Sequence, residues 1–279
     1  MKFLISHAAW IPERRESLKR LAKQLGEDPM ISESRGPEHS SIWARRAWEW
    51  GAQQDEHVCY LNDDVLVHPQ LRKIVEAMIE AVPNEPLSLH TNHVSAPAQA
   101  MLGHHWARCY WYTGPAVVLS PERVRSLLAF VHAMPWSFLS RNNEDNTAIH
   151  WAWSEQRPFW LAIPAPVIHD TALRSTLGFD DHLGRVPSVP WNNVQWGRSD
   201  FTVPDWWRVS APPPAIENPW APAQLLEYVR RVHGEGRQLC VMCQQREGVV
   251  GNASARLCRT CAMQLYTMCT KAGQEEIKA

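Results

Sequence analysis

Hydrophobic and polar positions follow two periods along the first three-fifths of the chain. Short apolar runs of strand length occur at Lys2 to Ser6, Val58 to Leu61, Leu87 to Leu89, Ala116 to Leu119, Phe159 to Ile163 and Val167-Ile168. Between them apolar residues recur at helical spacing. Pro12 opens a helix carrying Leu18, Leu21 and Leu25 on one face, with Gly26 as its stop. Ser40 or Ser41 caps a second helix with Trp43, Ala47 and Trp48, and Pro69 introduces a third with Leu71, Ile74, Val75, Met78 and Val82. Ser120-Pro121 caps a fourth with Val124, Leu127, Leu128 and Val131, and Asn142 or Asn143 starts a fifth. Strands alternating with helices predict an α/β domain over about 1–175, a single mixed, mostly parallel sheet flanked by helices.

Past Thr171 the periodicity fades. Residues 176–225 are dominated by Pro, Trp, Asn and Asp, including Trp206-Trp207 and Pro212-Pro213-Pro214. Trp191, Trp196, Trp206 and Trp207 would be badly exposed in a free linker, so this stretch is expected to pack on the main domain as an irregular extension. A short helix from Leu225 to Val232 then leads into a third unit, 226–279.

That unit is organised by cysteines. The spacing Cys-x2-Cys-x14-Cys-x2-Cys places Cys240, Cys243, Cys258 and Cys261 in two tight knuckles. Four thiolates in this pattern suit tetrahedral Zn²⁺ with no position left open for substrate, which implies a structural metal. The second pair begins a helical stretch, and the whole resembles a treble-clef or zinc-ribbon finger. From Arg230 to Lys271 seven basic residues face only Glu235 and Glu247, a net +5 that falls to +3 under a zinc tetrathiolate. Local charge of that size suits a phosphate backbone. The competing reading is a module that folds around zinc and binds nothing else.

Whole-chain electrostatics point to no partner, because 28 Lys and Arg balance 29 Asp and Glu for a formal charge of −1. A 45% hydrophobic and 20% charged composition excludes a largely disordered, collagen-like or coiled-coil chain. No apolar run approaches the roughly 18–20 residues of a membrane span, and Met1 to Trp10 reads as a strand rather than a signal peptide. Paired rather than scattered cysteines fit a reducing compartment, so a cytoplasmic protein with no membrane partner is expected.

Chemistry in the α/β domain is expected at strand ends. Asn62-Asp63-Asp64 closes an apolar run at the edge where α/β sheets bind ligands. Adjacent carboxylates there suit Mg²⁺ or Mn²⁺, hard cations that prefer oxygen and bridge diphosphates. Taken alone, the same acids would also serve as a polar turn capping the helix near Pro69. No Walker A loop, G-x-S-x-G elbow or H-E-x-x-H motif is present.

Taken in order, the strand Phe3 to Ser6 with its Arg-containing helix, Tyr60-Leu61-Asn62-Asp63-Asp64-Val65, Gly114-Pro115-Ala116, Asn143-Glu144-Asp145 and the strand-end His169 resemble an A-type (GT-A) nucleotide-sugar glycosyltransferase. The resemblance covers about 1–170. It implies that Asp64 and His169 hold Mn²⁺ or Mg²⁺, and that Asp63 or Asn62 faces the donor ribose or a metal-bound water. Asn62 stands where the family's Asp-x-Asp signature has its first carboxylate, a departure that bears on the donor contact there. Arg14 or Arg15 would reach the uracil or diphosphate, although paired arginines on a helix are ordinarily a solvated face. Gly114 would let backbone approach the donor sugar.

By the same match, Asp145 is the expected general base, with Glu144 orienting the acceptor, which implies inversion at the anomeric carbon. As plain helix chemistry, the two acids would complement a helix N-terminus. Trp106, Trp111 and Tyr112, flanking His104-His105, read either as an acceptor-facing loop or as core. The expected activity is hexosyl or pentosyl transfer from a nucleotide-sugar donor, chiefly a UDP-sugar, to a hydroxyl. The zinc module suggests that the acceptor is a hydroxymethylated base in double-stranded DNA, as in phage-type enzymes acting in the host cytoplasm, with the base flipped out of the duplex. A protein or surface-glycan acceptor, and a non-catalytic zinc-containing nucleic-acid adaptor, are the alternatives.

Overall fold

The apolar runs become strands whose alternate side chains enter two cores. In a computed structural model the described residues are 1–176, except 27, 93–95, 97–99, 101–103, 111 and 113, together with 187, 190, 191, 250–251 and 256–257. The strands are β1 (Lys2–Ala8), β2 (Met30–Ser34), β3 (Val58–Asn62), β4 (Val65–Val67), β5 (Leu87–Ser88), β6 (Trp106–Cys109), β7 (Ala116–Leu119), β8 (Phe159–Ala162) and β9 (Val167–His169). The helices are α1 (Arg14–Leu25), α2 (Ser40–Gly51), α3 (Leu71–Ala81), α4 (Pro121–Ala133), α5 (Trp136–Leu139) and α6 (Glu144–Ser154). A short hairpin of β10 (Val250–Gly251) and β11 (Arg256–Leu257) lies in the cysteine unit. Its four knuckle cysteines lie outside the described residues.

Seven strands form one sheet in the order β2-β1-β3-β7-β5-β8-β6. β2, β1, β3, β5 and β8 run one way and β7 and β6 run against them, so the sheet is mixed but mostly parallel. Phe3, Ile5, Cys59, Leu61, Val118 and Trp160 point to the face covered by α1 and α3. Their neighbours Leu4, Val58, Tyr60, Val117, Leu119, Phe159 and Leu161 point to the face covered by α2, α4 and α6. Burial on both faces explains why these strands read as continuous apolar runs.

Helix boundaries follow local chemistry. Gly26 ends α1 in the left-handed region at φ 71°, where a side chain would be strained. Ser120 accepts a hydrogen bond from the Arg123 N–H and Pro121 sits in the first turn of α4. His39, rather than Ser40 or Ser41, caps α2, because its ring nitrogen accepts from the Ser41 N–H.

Besides β4, which follows β3 too closely to stand out as a run of its own, three elements of the α/β domain escape the hydrophobic pattern. β2 buries Ser32 and Ser34 and so shows little apolar signal. β6 is an antiparallel edge strand that makes Trp106 core rather than loop, 1% exposed and edge-on to Trp160 at 5.6 Å. Tyr112 is likewise buried, stacked on Phe159 at 4.9 Å, while Trp111 is outside the described residues. The third is α5, a single turn after Pro135. Trp191 packs edge-on against His68, with ring centroids 5.0 Å apart, and its backbone N–H donates to the Ala165 carbonyl. Among the described residues no helix is long and apolar enough to cross a membrane.

Candidate active site

The parallel strands β2, β1 and β3 end side by side, and their carboxyl ends open a cleft of about 640 Å³ including its mouth. Ser34, Ser6 and Asn62 supply its floor from those strand ends, Trp43 comes from the first turn of α2, and Arg14 and Glu144 also line it. This is the edge of an α/β sheet where ligands are expected. Two helix starts are tied together beside it, since the Ser41 hydroxyl donates to the Asn142 carbonyl.

Asp63 and Asp64 occupy the turn between β3 and β4. The turn is pinned by Asp63 N–H to the Ser6 carbonyl at 3.0 Å and Asp170 N–H to the Asp64 carbonyl at 2.8 Å. Asp63 is wholly buried and turned inward. Its Oδ1 accepts from Arg14 Nη1 at 2.5 Å, and its Oδ2 accepts from His7 Nδ1 at 2.7 Å and the Ala8 N–H at 2.9 Å. Burial pushes its carboxyl upward, against the pull of Arg14. Asn62, by contrast, faces the cleft.

Asp64 Oδ2 accepts from Arg14 Nη2 at 2.9 Å and stands 3.6 Å from His169 Nδ1. Strand pairing makes this neighbourhood: β4 and β9 run antiparallel with Val65 opposite His169, which brings residues 105 positions apart in sequence together. His169 Nδ1 is buried and has no hydrogen-bond partner among the described residues. A buried ring nitrogen without a partner beside a carboxylate fits a cation. No three His, Cys, Asp or Glu side chains among the described residues stand close enough to hold a metal. A Mg²⁺ or Mn²⁺ here would therefore take Asp64 and His169 from the chain and its other ligands from substrate oxygens and water.

Glu144 and Asp145 sit in the first turn of α6, which Asn143 caps by accepting from the Asn146 N–H at 2.9 Å. Glu144 lines the cleft. Asp145 lies against Gly114, where a methyl group would stand 1.9 Å from Asp145 Oδ1. The absence of a side chain at residue 114 thus makes room for a carboxylate of the chain itself. Asp145 Oδ1 and Glu144 Oε2 are buried atoms without a hydrogen-bond partner among the described residues. Burial pushes the Asp145 carboxyl well above the ordinary range, and the adjacent Glu144 adds to the rise, against the Gly114 N–H. The Asn62 N–H donates to the Pro115 carbonyl at 2.9 Å, joining this pocket to the end of β3.

Three groups were not legible as site residues in the sequence: His7, which braces Asp63; His90; and the carbonyl of Arg174. His90 is buried, its Nδ1 3.2 Å from the Val167 carbonyl and its ring edge-on to His169 at 5.2 Å. Burial lowers it to about 3, with the nearby His169 adding to the fall, so the ring is neutral. The Arg174 carbonyl accepts from Arg14 Nη2 at 2.7 Å. Of the two arginines expected near the donor, Arg14 is 2% exposed and inside the network, while Arg15 is on the solvated face.

No family model matches this chain, and no curated protein is similar to it in sequence. Among solved structures, the chain is similar to a crystal structure of a glycosyltransferase involved in the glycosylation of the major capsid of PBCV-1. The two share 16% identity at a TM-score of 0.36, over 66% of this chain and 89% of that one.

Proposed function

We propose that the chain is a glycosyltransferase that moves a sugar from a nucleotide donor, chiefly a UDP-sugar, to a hydroxyl acceptor. The observation that carries this reading is the cleft at the ends of β2, β1 and β3. It brings Asn62 and Arg14 together with Glu144, beside the Asp64–His169 pair. A Mn²⁺ or Mg²⁺ held by Asp64 and His169 would supply positive charge for the departing diphosphate.

The remaining steps belong to the chain. Asn62 meets the donor at the cleft floor, and Arg14 places a guanidinium on its wall. Asp145 takes the proton of the acceptor hydroxyl as that oxygen bonds to the anomeric carbon. The bond from that carbon to the diphosphate oxygen breaks, and its electron pair leaves with the nucleotide. Attack from the face opposite the leaving group inverts the anomeric centre. A carboxylate raised above its ordinary range holds that proton better than an exposed one, and Glu144 beside it orients the acceptor.

The proposed acceptor is a hydroxymethylated base in double-stranded DNA, delivered by a zinc module built on Cys240, Cys243, Cys258 and Cys261. The test is incubation of the full chain with labelled UDP-sugars and Mn²⁺, together with hydroxymethylcytosine duplex, unmodified duplex, or protein and glycan acceptors. Label in the modified duplex alone is the expected result. Label in protein or glycan would keep the transferase and overturn the DNA acceptor. No transfer and no nucleotide release from any donor would overturn the transferase.

A further inference from the structure

Arg14 is unusual among the cleft residues: it lines the cleft yet is almost wholly buried, and both its terminal nitrogens are committed to the acid pair. Resting on the reading above, we propose that Arg14 couples cation binding to donor binding. Its guanidinium occupies Asp64 Oδ2 in the donor-free chain, and a nucleoside diphosphate draws it off so that the divalent cation and the donor are taken up together.

The argument is one of charge and of shared atoms. Asp63, Asp64 and Arg14 together carry −1 when both acids are ionised, so the guanidinium already offsets half of the negative charge that would attract a cation. A cation on Asp64 Oδ2 would sit at about 2.0–2.1 Å from that oxygen, which also holds Arg14 Nη2 at 2.9 Å. Two positive centres that close, out of bulk water, repel strongly. A diphosphate changes the balance, because its oxygens accept hydrogen bonds from a guanidinium in the same forked geometry as a carboxylate.

Arg14 also keeps a buried donor in reserve. Its Nε–H has no hydrogen-bond partner among the described residues, and leaving such a donor unmatched is costly unless a ligand uses it. The Nη2 bond to the Arg174 carbonyl links the same guanidinium to the segment after β9, whose Thr176 lines the cleft. Movement of Arg14 toward a diphosphate would therefore be felt on the wall of the cleft as well as at Asp64.

The experiment titrates Mn²⁺ into the full chain, reading the free ion by electron paramagnetic resonance with and without UDP. Arg14→Gln is compared with wild type after circular dichroism has shown it folded. Wild type is expected to bind Mn²⁺ weakly alone and at least tenfold more tightly with UDP. Arg14→Gln is expected to bind Mn²⁺ alone about tenfold more tightly than wild type, and to gain less from UDP. Arg14→Met/Asp63→Asn removes Arg14 and Asp63 together, leaves Asp64 as the one remaining carboxylate of the cluster, and is expected to show the same tightening. It provides the reading if the single variant does not fold. Folded variants whose Mn²⁺ affinity without UDP equals that of wild type would overturn the coupling while leaving the transferase intact. A wild type that binds neither UDP nor Mn²⁺ in any combination would overturn both.

Discussion

The cleft region holds two pairs of adjacent acids built in opposite ways. Asp63 and Asp64 are matched by a guanidinium, and every oxygen of Asp63 has a donor: Arg14, His7 and the Ala8 N–H. Glu144 and Asp145 have no cation of this kind within the described contacts, and both, unlike Asp63, keep a buried oxygen without a hydrogen-bond partner. The first pair is arranged to stay in place. The second lacks that counter-charge, and polar groups left short of full satisfaction concentrate at functional sites. The difference is between a pair held by a counter-charge and one that, under the proposed mechanism, would exchange a proton.

One break of this comparison is Asp64→Ala, which should cut UDP release by about 10²–10³-fold through loss of charge stabilisation at the diphosphate. Stopped assays with Mn²⁺ and a UDP-sugar panel would measure it. Asp145→Asn should lower kcat by about 10²–10⁴-fold, the range for loss of a positioned acid or base. It should also melt higher than wild type at neutral pH. The sign follows from the raised carboxyl of Asp145. A carboxyl held above its unfolded value contributes stability below that unfolded value, and loses it as pH rises through the folded one. Wild type should therefore fall behind Asp145→Asn as pH increases, and the two should converge in acid. Thermal melts from pH 4 to 8 check the divergence; parallel curves would contradict it.

Gly114→Ala should destabilise by about 1–3 kcal/mol, because the new methyl group would displace Asp145 from 1.9 Å, and activity should fall with it. Denaturant unfolding and kcat on the same preparation would show the two effects together. The smallest effect is expected for Asn143→Ala, about 1 kcal/mol from loss of the α6 cap, with a several-fold rather than hundredfold drop in turnover.

What the sequence disclosed follows from the range of the interactions involved. Local chemistry was readable: Ser120-Pro121 and Asn143 mark the starts of α4 and α6, and Asn62-Asp63-Asp64 ends β3 at the expected edge. Asp64, Glu144 and His169 could be picked out because each lies next to such a boundary. The bonds between them were not readable. Arg14 and Arg15 are neighbours on one helix, and no periodicity distinguishes the one that is buried 49 residues away from its partner Asp63. His7 looks like one more residue of β1 until the β3–β4 turn is folded against it. Gly114 is expected from the sequence to let backbone approach a sugar, and the carboxylate of Asp145 beside it emerges only from the packing of α6.

The central proposal is that a nucleotide-sugar bond is broken at this cleft, with Asp64 acting through a bound cation and Asp145 as the base. Its most direct test is Mn²⁺-dependent UDP release by wild type, Asp64→Ala and Asp145→Asn in one assay, with UDP binding measured in parallel. The account predicts release by wild type, loss in both variants, and retained UDP binding in Asp145→Asn. Equal release by wild type and Asp64→Ala, or no release by wild type from any donor, would contradict it.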